Sequence, residues 1–298
     1  MSNPSHETSP AVVQQPPRHI VFATDFSARS DRAQDRAVQL AVQWNAGLTA
    51  VHALSDVILT ADTSFRDAYR KAALRNGNSL REELACTEGL RSSVIVEEGR
   101  VEEVILAAAA KERAELIVTG IAGTGPLAQV LIGSAVTALA RTSPVPLLVV
   151  KKRVLETGGR AAVATDLSDS SKPALMVGLR WFGFRRLELF HAFDPPYRSL
   201  VDDKAAYDSQ FEEGAVEKCR DFVRDVAGAD AVSMFEVVAR RGDPVTGLEV
   251  LTNEADTDLV IAGTQGRTGL MHAVLGSVAS RILNEVPCDV LVVPSRAR

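Results

Sequence analysis

The chain has little of what marks a secreted, membrane-spanning or nucleic-acid-coating protein. Its 298 residues hold three cysteines, Cys86, Cys219 and Cys288. They are odd in number and not at metal-ligand spacing, so they predict buried thiols in a reducing cytosol and a cytoplasmic protein. No apolar run approaches the ~20 residues that span a bilayer, so no membrane partner is expected. Positive charge is not in excess: the formal net charge is −5 and neither half is basic, which argues against a nucleic-acid partner. Residues 1–17 are polar and proline-rich, with neither a basic start nor an apolar stretch, and read as a disordered tail. What is present is ordinary for a globular protein, 46% apolar and 24% charged, at a length that fits two domains.

The informative feature is a repeat. Gly120-Ile-Ala-Gly123, nine residues and Gly133-Ser134 return as Gly263-Thr-Gln-Gly266, nine residues and Gly276-Ser277. Both copies follow an apolar run and precede a second one, Leu147–Val150 or Val290–Val293. The register extends to the start of each half. Ala-Thr-Asp25-Phe-Ser27 matches Ala-Thr-Asp166-Leu-Ser168, a strand bearing His52-Ala53 matches one bearing His191-Ala192, and Gly99 matches Gly242. Landmarks in one order, twice, define a duplicated unit of about 140 residues, too long for a solenoid repeat. The expected organisation is a tail over 1–17, one domain over 18–152 and a second over 160–298, with residues 151–160 as a linker that carries Thr157-Gly158-Gly159.

Periodicity gives the fold class. The run near 19–24, apolar with no charge inside, reads as a parallel strand covered on both faces, and further strands near 48–54, 93–97, 115–119 and 146–150 alternate with helical patterns. The helices are expected from Ser30 or Asp31 to a closing Gly47, over about 64–89, over 101–112 and from Ser134 to about Thr142. The second half repeats the pattern, with strands near 161–165, 186–192, 232–238, 258–262 and 289–293. The result is an α/β chain of two tandem doubly wound domains with right-handed crossovers.

The chemistry is expected at the carboxyl edge of each sheet, the ligand crevice of open α/β folds. Gly120 and Gly263 end a strand where the backbone turns without a Cβ, and Gly123 and Gly266 let a loop approach a ligand. Gly133-Ser134 and Gly276-Ser277 open helices whose N–H groups and dipole favour an anion. The serines can cap the helix and donate to phosphate. Arg267, next in the second loop, is placed to reach phosphate. Asp25 and Asp166 lie on the same edge, suited to ribose hydroxyls and unsuited to phosphate. Plainer readings stand beside these: glycines as strand-to-helix turns, aspartates and serines as caps, and His52 and His191 as packed or hydrogen-bonded side chains. Met271 and His272 read as surface. No Walker lysine, H-E-x-x-H or Cys/His metal set appears, so neither a catalytic residue nor a metal ligand is assigned.

The strand ending in A-T-D-x-S, the strand carrying His and G-x2-G-x9-G-S resemble the universal stress protein family over nearly the whole chain, twice. The resemblance implies a Rossmann-like (adenine nucleotide alpha hydrolase-like) domain, each a five-stranded parallel sheet of order 3-2-1-4-5 with helices on both faces. It also implies ATP, with or without Mg, as the cofactor. The adenine would lie near Ala23 and Ala53, or Ala162 to Ala164 and Ala192. The ribose would meet Asp25 or Asp166 and the first glycine. The phosphates would meet Gly123, Gly133, Ser134 and Ala135, or Gly266, Gly276, Ser277 and Val278. The second half keeps the family pattern more closely than the first, which has Thr124 and Pro126 in its loop. The function implied is an ATP-binding protein of stress response or regulation with at most slow hydrolysis. An ATP-hydrolysing or nucleotidyl-transfer enzyme of the same fold, and a nucleotide-free scaffold, remain as alternatives.

Family members also pair through their last strands. Leu147–Val150 and Val290–Val293 carry no charge to blunt an exposed edge. They predict either a homodimer or an intramolecular pseudo-dimer in which the halves of one chain pair.

Overall fold

A computed structural model describes residues 15–55, 62–121, 132–153, 159–266 and 275–295. Gly123, Arg267, Met271, His272, Thr157 and Gly158 lie outside the described residues, as does most of the N-terminal tail. The first half runs β1 His19–Ala23, α1 Asp31–Gln43, β2 Gly47–Leu54, α2 Thr63–Ala85, β3 Arg91–Glu98, α3 Val101–Lys111, β4 Leu116–Gly120, α4 Ser134–Thr142 and β5 Leu147–Val150. The second runs β6 Arg160–Ala164, α5 Lys172–Phe182, β7 Arg186–Phe193, α6 Lys204–Ala227, β8 Phe235–Arg241, α7 Pro244–Glu254, β9 Thr257–Gly263, α8 Ser277–Glu285 and β10 Asp289–Val293.

The strands form one sheet of order β3-β2-β1-β4-β5-β10-β9-β6-β7-β8. Each half therefore has the expected 3-2-1-4-5 order, and pairing within each half is parallel. The halves join where β5 and β10 run antiparallel, with Val149 opposite Val290, Leu148 opposite Leu291 and Leu147 opposite Val292. Of the two pairings that the apolar runs predicted, this is the intramolecular one.

Alternation along the strands sends side chains to two cores. Ile20 and Phe22 of β1 face one, with α1, α2, α5 and α6, while Val21 and Ala23 face the other, with α3, α4, α7 and α8. Both cores cross the seam: Leu148 and Leu291 share the first, Val149 and Val290 the second. Burying a side chain such as Phe22, at 0% exposure, contributes about 1.5–3 kcal/mol, so the seam is part of the hydrophobic interior.

Several local expectations need correction. Gly47 does not close α1; it opens β2, and the left-handed residue after the helix is Asn45, at φ 52°. A Cβ on Gly47 would lie 2.6 Å from His19 Nδ1, so the His19 ring occupies the space that the glycine leaves open. Ser30 precedes α1 but makes no capping bond. α2 ends at Ala85, short of residue 89. Residues 229–234 form a 3-10 turn, so β8 starts at Phe235 and not at 232. Cys219 and Cys288 are buried, whereas Cys86, which closes α2, is exposed. β10 begins one residue before its apolar run, so the seam includes a charge, Asp289.

Candidate functional site

At the carboxyl edge each half builds the same turn after its first strand. Thr24 and Thr165 donate their amides to the second strand, to Val51 O and Phe190 O, each at 3.0 Å. Their hydroxyls accept from the amides of Phe26 (3.0 Å) and Leu167 (2.9 Å). Phe26 and Leu167 adopt left-handed backbone, at φ 59° and 62°. Non-glycine residues rarely sit there, and the same outlier at the same place in both halves marks a turn held by its surroundings.

The aspartates between them anchor the turn. Asp25 Oδ1 accepts from the Ser27 amide (2.9 Å), the Ser27 hydroxyl (2.7 Å) and the Ser30 hydroxyl (2.7 Å). Asp166 Oδ1 accepts from the Ser168 amide (3.1 Å) and hydroxyl (2.5 Å). In the second half the Ser171 hydroxyl turns to Thr165 and to the Ser168 carbonyl instead, each at 2.8 Å. Burial pushes the Asp25 carboxyl up, but the Ser27 and Ser30 hydrogen bonds outweigh it and hold Asp25 below its ordinary value. The capping role weighed for these aspartates is thus real, and it leaves each carboxylate fixed at the strand end.

The two histidines stand behind the turn. His52 Nδ1 donates to Thr24 O and His191 Nδ1 to Thr165 O, each at 2.9 Å. The Phe26 ring stacks on His52 with centroids 4.3 Å apart.

Each turn opens onto a cleft. The first, of about 110 Å³, is lined by Ala23, Asp25, Ala53, Gly120 and Ala135, with Val101 and Ile105 of α3. The second, of about 250 Å³, is lined by Ala164, Asp166, Ala192, Gly263, Gly276 and Val278. Eleven of the anticipated residues therefore converge, five in the first cleft and six in the second. Gly133, Ser134 and Ser277 stand at the helix starts beside the clefts and are not part of their walls. Gly266 is at the rim, where an added Cβ would lie 3.1 Å from Asp166 Oδ2.

Two expected roles change. Gly120 and Gly263 are small to admit the turn after the first strand: a Cβ would meet Arg29 O at 3.2 Å or Ser170 O at 3.0 Å. The helix caps are Gly133 and Gly276, in extended backbone with no side-chain capping bond, so Ser134 and Ser277 are the first helical residues and not the caps. Sequence reasoning missed Gln265, Phe190 and Asp194 in the second cleft, and the pair Ser30 and Ser171. The repeat offers a signal only for the serines, which hold equivalent positions.

Comparison with known proteins decides the family. A profile of the universal stress protein family matches residues 17–151 and again residues 159–294. The chain belongs to the universal stress protein family. A universal stress protein of Mycolicibacterium smegmatis is 26% identical, across 93% of this chain and 97% of the relative. A universal stress protein of Thermus aquaticus is 32% identical over 44% of this chain and 97% of its own length, so that relative matches one half. The crystal structure of a universal stress protein from Archaeoglobus fulgidus superposes with a TM-score of 0.67 at 20% identity, covering 95% of this chain and 98% of that one, which shows a shared fold. Among the described residues of this family member, no group of His, Cys, Asp and Glu could hold a metal ion, and no helix is long and apolar enough to cross a membrane.

Proposed function

We propose that this universal stress protein binds ATP in its two carboxyl-edge clefts, more tightly in the second half, and acts in the cytoplasm as a nucleotide-dependent stress or regulatory protein. The observation that carries the reading is that α4 and α8 both begin beside a cleft on a glycine, with no side chain capping them. Their leading N–H groups and positive dipole ends suit an anion. The fixed carboxylates of Asp25 and Asp166, which line the same clefts, suit ribose hydroxyls.

The residues present fit the nucleotide. The second cleft has an apolar floor that includes Phe190, Leu248 and Ile282, suited to a purine. Gly266 leaves room beside Asp166 that any larger residue would fill. The greater size of the second cleft supports the tighter site there. Hydrolysis is at most slow: the Asp25 and Asp166 carboxylates are held by serine donors, and a lowered pKa makes Asp25 a weak base toward water. Equilibrium dialysis of the full chain against labelled ATP and GTP tests the reading. Saturable uptake of ATP over GTP is expected, and equal or absent uptake overturns it.

A further inference from the structure

The seam between the halves contains a cluster of charge that the nucleotide reading leaves unused. Asp289 is 2% exposed at the head of β10. Its Oδ1 accepts from the backbone amides of Lys151 (2.8 Å) and Lys152 (3.0 Å), just past β5 of the other half. Its Oδ2 stands 3.3 Å from Arg36 Nε, on α1 of that same half. Lys151 is 7% exposed, and its Nζ donates to Val286 O at 2.6 Å. A carboxylate on one half is thus met by the Arg36 guanidinium and two backbone amides of the other, with the Lys151 ammonium near enough to feel its charge.

None of the three charges is repeated. The strand-one aspartates and their serines align α1 with α5, so Arg36 corresponds to Val177. The seam itself aligns Leu148 with Leu291, so Asp289 corresponds to Pro146 and Lys151 to Pro294. The structure follows this near-symmetry: Arg36 and Asp289 line one small cavity at the seam, while Val177 and Pro146 line a groove together.

The consequence differs for each possible pair. Joining unlike halves puts Asp289 against Arg36 and Lys151. Joining two second halves would put each Asp289 against Val177 and Pro294, with no cation from the partner half and one fewer amide donor. Joining two first halves would bury Arg36 and Lys151 against Pro146, with no anion. A buried charge without a partner is strongly unfavourable, whereas the apolar strands alone would accept any pairing. We propose that Arg36, Lys151 and Asp289 are an address that directs β10 to β5 of the unlike half and excludes seams between like halves of two chains. The device is attraction in one arrangement and unpaired charge in the others, the usual physical basis of pairing specificity.

The test nicks the folded full chain at a protease site inserted between Gly158 and Gly159, then resolves the pairs by native mass spectrometry after re-equilibration. The nicked wild type is expected to give unlike pairs only. In the variant carrying Arg36→Val, Lys151→Pro and Asp289→Pro, each residue is replaced by its counterpart. Like pairs should then appear, and unlike pairs should fall to about half of the total. Asp289→Asn removes the charge with almost no change of shape and should also admit like pairs. Like pairs or separated halves in the nicked wild type overturn the proposal. So does an exclusive unlike pair in Asp289→Asn, whether or not the triple variant folds.

Discussion

His191 Nδ1 donates to the carbonyl oxygen of Thr165 at 2.9 Å, and His52 does the same to Thr24. A carbonyl only accepts, so each ring carries its proton on Nδ1. Each bond ties the second strand of its half to the residue just before the candidate ribose-binding aspartate.

The first prediction follows from His52. Burial lowers its pKa from 6.5, outweighing the Thr24 hydrogen bond and the nearby Asp25 charge. The unfolded chain therefore binds more protons than the folded one as pH falls through 6.5. Stability should be level above that value and decline below it, until the folded ring also protonates. Melting temperatures from about pH 7.5 to about pH 5 should show this decline, and His52→Gln should flatten part of it. An identical acid slope in the variant contradicts the assignment.

Asp166→Ala should weaken ATP and adenosine alike. A hydrogen bond to a charged partner contributes about 1.5–3 kcal/mol, roughly ten- to a hundred-fold in affinity. Ser277→Ala should weaken ATP by about 0.5–1.5 kcal/mol and leave adenosine unchanged. Calorimetry with both ligands separates the two, and equal losses in the Ser277 variant remove its phosphate role.

The glycines of the two loops give a third test. Gly266→Ala should reduce ATP binding in the second half, because its Cβ would stand 3.1 Å from Asp166 Oδ2. Gly123→Ala should lower only the weaker component of the isotherm. If neither change alters the titration, the loops do not cradle the nucleotide.

The seam gives a fourth. Val292, 2% exposed, is opposite Leu147. Val292→Lys puts an ammonium there without a carboxylate to meet it and should destabilise the chain by more than about 3 kcal/mol. Small-angle scattering of any folded fraction should show the halves apart. A variant as compact and stable as the wild type would mean that the seam does not hold the halves together.

The fold was largely legible because central parallel strands covered on both faces, such as β1 and β4, leave apolar runs, and because the repeat shows each run twice. α4 was read with its ends at Ser134 and Thr142, as found. Gly47 was misread because a glycine before an apolar run looks the same whether it ends a helix or starts a strand. The contact that decides, with the His19 ring, is long-range. Asp25, Asp166 and the cleft glycines Gly120, Gly263 and Gly276 were legible through repetition. Gln265 and Asp194 were not, since they reach the second cleft through loop geometry that no spacing encodes. Asp289 was passed over for a physical reason. A carboxylate at the head of an apolar strand reads as its exposed end, and the partners that make its burial tolerable, Arg36, Lys151 and Lys152, lie far away in the sequence.

The central claim is that this chain carries adenine nucleotide at its carboxyl edge. The most direct measurement is mass spectrometry of small molecules released on denaturing the purified protein, before and after incubation with excess ATP. The account predicts an adenine nucleotide, rising to at most two per chain after incubation and lowered by Asp166→Ala. Protein that releases none as purified, and retains none after incubation, would contradict it.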